Sequence, residues 1–210
     1  MSIPARRLPR PNWRMPKATT TRRQPNLSRT ACHDADVAEH VRRDVGRSEM
    51  EAYTRRSRQG PCFVCQVVAG TTEAPAHVVY RDDFAIGFLN LYPTLLGYCL
   101  VAPLDHKIAV VDDFTEDEYL RLQRVVRRVG VAVARAVPTE RLYILSLGSN
   151  SGNAHVHWHV APLPPDVPYE EQQLRALMAA TRGVLELSQG ERDELAARIR
   201  SGLQLDHPSP

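Results

Sequence analysis

Apolar and polar positions alternate with three different periods along the middle of this chain. Residues 62–68 form a short apolar stretch, stopped by Gly70 and the polar pair Thr71 and Thr72. Residues 77–80 read as a strand, Arg81-Asp82-Asp83 as a turn, and residues 84–89 as a second strand ending near Asn90 and Pro93. After Gly97, residues 98–102 are almost continuously apolar, the pattern of a strand covered on both faces. Thr115-Glu116-Asp117-Glu118 has the form of a capping box, in which threonine accepts from the third helical amide and glutamate returns the bond. A helix is predicted from there to about Val137, where Pro138 stops it. Tyr119, Leu122, Val126, Val129, Val133 and Val137 recur at spacings of three and four, a stripe that must cover a sheet or meet a partner subunit.

Residues 142–147 predict a fourth strand and residues 148–153 a loop of small residues. Then His155, His157 and His159 alternate strictly with Val156, Trp158 and Val160, the period of a pleated strand. Beyond Pro168, helices are predicted at roughly 169–182 and 189–201, the second opened by Ser188 and Glu191. The chain shows no internal repeat. Strands, a long helix, more strands and then helices make an α+β fold, with a mostly antiparallel sheet, one long helix and C-terminal helices.

Composition divides the chain further. Residues 1–33 hold eight Lys or Arg, no Asp or Glu, and prolines at 4, 9, 11, 16 and 25. Such a segment has little to bury, so residues 1–60 are expected to be a disordered basic extension, with room for a loose helix in the mixed-charge part from 34 to 60. The compact domain is expected at 61–165, followed by a C-terminal helical extension at 166–210. The net charge of +3 therefore belongs largely to the tail. Its composition also suits a transit peptide or a loose nucleic-acid contact, although an upstream extension is the simplest reading. No run of eighteen apolar residues is present and no apolar segment follows the basic start. Four cysteines in 210 residues do not make a secreted disulfide framework. The expectation is a cytoplasmic protein that does not enter a membrane.

The histidines carry the chemistry. In a strand all three imidazoles share one face, about 6.6–6.8 Å apart along the backbone, while Val156, Trp158 and Val160 face a core. A neutral imidazole has an ordinary pKa of about 6.5 and is both nucleophile and base at neutral pH. Three together are comfortable only with an anion or a metal among them. The small-residue loop before them offers backbone amides that can approach phosphate oxygens closely. With no carboxylate inside the motif, a phosphate-type substrate is favoured. A triple-histidine metal site is the rival, with Asp105 or Asp166 folding back to complete it.

From Cys62 to Pro165 the chain resembles the histidine triad (HIT) family of nucleotide hydrolases and transferases. The motif H-φ-H-φ-H-φ-φ is met at every position from His155 to Ala161. Cys62-Phe63-Val64-Cys65 is similar to the family's N-terminal cysteine turn, and Phe88-Leu89-Asn90-Leu91-Tyr92-Pro93 to its ribose-contacting segment. Gly97-Tyr98-Cys99-Leu100-Val101-Ala102-Pro103, followed by His106, is similar to its G-H-x-L-V-x-P-x-x-H segment. The resemblance implies that His157 attacks an α-phosphate and becomes nucleotidylated, and that water then releases a nucleoside monophosphate. It implies that His159 steadies the phosphate or bridging oxygen and that Asn153 contacts the phosphate or leaving group. Asn90 would hold the ribose hydroxyls, with Phe84, Ile86, Phe88 and Leu100 as candidate walls of the base pocket. Transferases of the family carry glutamine at the third histidine position, so His159 implies water as acceptor.

Cys62 and Cys65 alone fit a redox pair, half a zinc site or two small buried residues. The resemblance adds His106 and His155 and implies a closed structural zinc site, since a filled tetrahedron leaves no place for water. It also implies a homodimer joined through the long helix and a sheet edge. The substrate first expected is a dinucleoside polyphosphate of the diadenosine tetraphosphate type, then a nucleoside phosphoramidate. A non-catalytic nucleotide-binding or nucleic-acid-binding module is the alternative of a different class.

Overall fold

The structure, a computed structural model, describes residues 40–147 and 154–205. In chain order it contains β1 (Arg42–Arg43), α1 (Arg47–Gln59), α2 (Phe63–Ala69), β2 (Val78–Arg81), β3 (Ala85–Leu89), β4 (Cys99–Pro103), α3 (Glu116–Ala136), β5 (Arg141–Leu145) and β6 (Trp158–Leu163). A 3-10 turn at Tyr169–Glu171 then leads to α4 (Leu174–Leu177), α5 (Ala179–Arg182), β7 (Val184–Leu185) and α6 (Gln189–Gln204).

Five strands pair antiparallel in the order β2-β3-β4-β6-β5. The registers Leu100↔His159 and Val101↔Trp158 place the histidine strand beside the most deeply buried one. Because successive side chains alternate between faces, β3, β4 and β6 split into two packed layers. Ala85, Leu89, Cys99, Val101, Trp158 and Val160 face one layer, shared with Leu122, Val126, Val129 and Val133 of α3. Ile86, Phe88, Leu100, Ala102, Ala161 and Leu163 face the other, with Val64 and Val67 of α2. Each fully buried side chain of this size contributes about 1.5–3 kcal/mol, so the sandwiched strands anchor the fold.

The predicted start of α3 is present as read. Thr115 Oγ1 accepts from the Glu118 amide at 3.2 Å, and the Glu118 carboxylate accepts from the Thr115 amide at 2.8 Å. The helix ends at Ala136, with Val137 extended before Pro138. Its apolar stripe is covered by the sheet and by α6, whose Leu195, Ala196, Ile199 and Leu203 belong to the same core. Gly202 lets the two helices meet closely: a Cβ there would lie 3.2 Å from the Ala132 Cα and carbonyl oxygen.

Described residues on both sides of 61–165 also form regular structure. Order begins before Gly60: β1 pairs antiparallel with β7, Arg42↔Leu185 and Arg43↔Val184. Arg43 grips Glu49 of α1 through two bonds of 2.6 and 2.9 Å. The helix allowed for within 34–60 is present as α1, and backbone pairing and ion pairs, instead of burial, hold this polar stretch. In the C-terminal part, α6 packs on α3 in the same core. The single helix expected at 169–182 is divided into three short pieces, with Gln173 at a positive φ of 58° between the first two. Residues 62–68, given no element from the sequence, fall largely in α2.

Candidate active site and metal centre

The histidine segment departs from a uniform pleat. Its ladder pairing begins only at Trp158, and His155 and His157 lie on the approach, where the Val156 amide donates to the Lys107 carbonyl at 2.7 Å. Val156, Trp158 and Val160 enter the α3-side core as expected. The imidazoles separate into a pair and a single ring.

His157 and His159 form the pair, with ring centroids 4.8 Å apart. His157 is buried, and its Nδ1–H donates to the His155 carbonyl at 2.8 Å, which leaves the lone pair on Nε2. Phe63 of α2 stands edge-on to it at 5.9 Å and also meets Phe88 at 6.0 Å. Burial pushes the pKa of His157 down. Burial, with His157 adjacent, takes that of His159 down to about 4. Both rings are therefore neutral at neutral pH, the state in which imidazole is a nucleophile. Nδ1 of His159 lies 2.9 Å from the Tyr98 hydroxyl. Tyr98 is set there by a tight turn in which its amide donates to the Leu95 carbonyl at 3.2 Å and Gly97 takes φ 82°. Only glycine adopts that conformation without strain.

His155 turns away, toward the cysteines. Its Nδ1 lies 3.6 Å from Cys62 Sγ and 3.5 Å from Cys65 Sγ, while His106 Nδ1 lies 3.2 Å from Cys65 Sγ. All four ligand atoms fall within 4.8 Å of one another. A tetrahedron with Zn–S of about 2.3 Å and Zn–N of about 2.0–2.1 Å has edges of about 3.3–3.8 Å, close to these three contacts, so the four residues could hold that ion. The His155 Nε2–H donates to the Pro103 carbonyl at 3.0 Å, which fixes the tautomer with Nδ1 free to ligate. Burial takes the pKa of His155 down to about 4, keeping the ring neutral. Burial and the Cys62 sulfur push the Cys65 thiol up, which disfavours a thiolate there unless a cation offsets its charge. Among the described residues the metal-ligand cluster does not include His157, His159, Asp105 or Asp166. The triple-histidine metal arrangement is therefore not what the residues form.

Asn90 ends β3, its amide donating to the Tyr98 carbonyl at 2.8 Å and its Oδ1 accepting from the Tyr92 amide at 3.0 Å. It lines a cavity of about 160 Å³, together with Tyr92 and with Glu49, Tyr53 and Arg56 of α1. Tyr53 and Tyr92 meet edge to face at 5.8 Å. Nothing in the sequence singled out Tyr53 or Arg56 beyond the presence of one aromatic in an otherwise charged helix.

Ile86, Phe88 and Leu100 are buried on the histidine side of the sheet. Phe84 is not brought there. It packs toward α3, with the Arg121 guanidinium 4.7 Å from its ring centre, because it lies in the bend before β3, outside the strand's alternation. Asn153 and its loop lie outside the described residues. Cys99 is buried on the α3 side, where burial pushes its thiol well up. His77, for which the sequence offered no partner, pairs with Asp193 of α6 at 3.1 Å, away from this site.

Residues 71–165 match the family model of the HIT domain. The chain is 30% identical over 107 residues to an uncharacterized HIT-like protein of Methanocaldococcus jannaschii, covering 48% of this chain and 78% of that protein. It is 23% identical over 129 residues to an adenosine 5'-monophosphoramidase of Schizosaccharomyces pombe, 55% of this chain and 92% of that one. A zinc-bound histidine triad family protein of Mycobacterium smegmatis shares the fold, with a TM-score of 0.54 and 24% identity over 69% of this chain and 95% of that chain. The mostly antiparallel sheet thus has its counterpart in a solved structure. This chain belongs to the histidine triad family.

Proposed function

We propose that this protein is a hydrolase that cleaves a nucleoside phosphate derivative at its α-phosphate through a nucleotidyl-histidine intermediate. One observation carries the reading: His157 is neutral, buried and held by its Nδ1–H on the His155 carbonyl, with the Nε2 lone pair free. Nε2 attacks phosphorus, a P–N bond forms, and the bond to the leaving group breaks with its electron pair. The His155 carbonyl steadies the positive charge that develops on the ring. Water then attacks phosphorus and releases a nucleoside monophosphate. His159 donates to a phosphate or bridging oxygen, and Asn153 takes the role the resemblance implies, a contact with the phosphate or leaving group. Asn90 binds the ribose, while Ile86, Phe88 and Leu100 form the floor beneath the base.

The substrate we favour is a dinucleoside polyphosphate of the diadenosine tetraphosphate type. A phosphoramidate is the second reading, supported by the likeness to the fission-yeast enzyme. Cys62, Cys65, His106 and His155 hold a zinc ion in this account, and the zinc-bound relative supports it. That ion, when bound, supplies only a structural clamp, because four protein ligands fill its coordination. Thiolate ligands fit a reducing, cytoplasmic setting, and no described helix is long and apolar enough to cross a membrane. The free outer edge of β5, with Ile144 46% exposed, is the surface through which a second copy would pair. Replacing His157 by Ala should lower kcat on diadenosine tetraphosphate by about 10⁴-fold or more. Turnover within tenfold of the parent would refute the reading.

A further inference from the structure

The Tyr98 hydroxyl has one hydrogen-bond partner among the described residues, Nδ1 of His159 at 2.9 Å. Two arrangements are possible, and they differ in which ring nitrogen carries the proton. If Nδ1–H donated to the phenol oxygen, the hydroxyl proton would be stranded in a side chain only 5% exposed, at a cost. If the phenol donates to the Nδ1 lone pair, both the hydroxyl proton and Nδ1 are satisfied. His159 then carries its single proton on Nε2, at the end of the ring away from Tyr98.

The consequence concerns the leaving group. A ring in this state can donate a hydrogen bond from Nε2, but it cannot readily release that proton. Release would leave an imidazolate unless Nδ1 took the Tyr98 proton at the same moment, and that would create a phenolate where burial strongly disfavours one. An anhydride does not need the proton. As the Nε2 of His157 forms its bond to phosphorus, the P–O bond breaks and the electron pair stays on a phosphate oxygen, whose acid has a pKa near 6. A phosphoramidate does need it, because breaking the P–N bond without protonation expels an amide anion.

We propose that Tyr98 locks His159 as a neutral Nε2–H donor, and that this lock commits the site to leaving groups that depart as anions, the phosphates of a nucleoside anhydride and not the amine of a phosphoramidate. The inference rests on the covalent role of His157 and assigns Tyr98 as a positioning residue acting through His159.

The test compares kcat/KM for diadenosine tetraphosphate and adenosine 5'-phosphoramidate in the parent protein and in Tyr98→Phe, which keeps the ring and removes the hydroxyl. The parent should prefer the anhydride by about 100-fold or more, the scale of a missing general acid. The substitution should move the ratio toward the phosphoramidate by about tenfold or more. Nitrogen-15 spectra of the parent should show His159 as the Nε2–H tautomer, a readout that does not depend on the variant folding. A ratio near one in the parent, an unchanged ratio in a folded variant, or an Nδ1–H tautomer would each overturn the proposal. Loss of the His157 reading is distinguished by His157→Ala retaining turnover on both substrates, which leaves the tautomer of His159 unaffected.

Discussion

His155, His157 and His159 are one side chain in three environments, and hydrogen bonding through the far nitrogen sorts them. Pro103 takes the Nε2–H of His155 and turns Nδ1 toward sulfur. The His155 carbonyl takes the Nδ1–H of His157 and frees Nε2, and Tyr98 occupies Nδ1 of His159. The alternation of residue types showed that these rings share a functional neighbourhood. It could not show which carbonyl or hydroxyl each would meet, because two of those partners, Pro103 and Tyr98, lie on β4 and in the turn before it. Asp82 follows the same logic in the turn before β3. Its carboxylate accepts from the Phe84 and Ala85 amides at 2.8 and 2.6 Å and from the Tyr80 hydroxyl at 2.9 Å, beside Arg121. Burial alone would raise its pKa, but these bonds and Arg121 outweigh it and the net direction is down. A carboxylate whose folded pKa lies below its unfolded one stabilises above the unfolded value and loses that contribution as pH falls through the folded value. Asp82→Asn should therefore cost about 1–2 kcal/mol at pH 7, discounted for partial exposure. In urea melts the difference should shrink below about pH 4. A constant difference between pH 7 and pH 3 would contradict the charge argument.

Among the elements, α2 does the most with the fewest residues. Cys62 is its N-cap, with Sγ accepting from the Cys65 amide at 3.5 Å, so both sulfurs sit where the helix N-terminus favours negative charge. Val64 and Val67 then cover the sheet beneath the histidines. The cysteines were legible as a pair, and the resemblance supplied His106 and His155. That Phe63–Ala69 form a helix was not, because an apolar run this short fits strand and helix equally. Zinc at these four residues predicts a stoichiometric ion by elemental analysis. Its removal by chelation, or Cys62→Ser, should lower the melting midpoint by about 6–12 °C, corresponding to a loss of about 3 kcal/mol. A metal-free protein with an unchanged melt would contradict the clamp. At the other end of the legibility scale, the capping boxes of α3 and α6 are present bond for bond, since each depends on residues only three apart.

For the molecule as a whole, the strand order is set by contacts far apart in sequence, and the limits of the sequence reading follow from that. β1 is two arginines with no apolar signal, yet it pairs with β7 some 140 residues later, and Arg42 reaches the Thr94 carbonyl at 2.9 Å. The leading segment thereby brings α1, with Tyr53 and Arg56, against Asn90. Local patterning cannot reveal a strand whose partner is that distant and whose bonds are made by backbone. The same topology leaves β5 on the sheet edge, where Ile144 and Leu147 are exposed. An open edge with apolar side chains invites a second sheet. Light scattering should report a dimer for the parent and a monomer for Ile144→Asp. A parent protein that is monomeric at tens of micromolar would remove the pairing surface from the account.

The account depends on a bond between His157 and phosphorus. Brief mixing with diadenosine tetraphosphate, an alkaline quench and peptide mass spectrometry would read that bond directly. The prediction is a nucleotidyl adduct on the peptide containing His157, absent from His157→Ala. Full turnover with the adduct missing, or found on another residue, would contradict it.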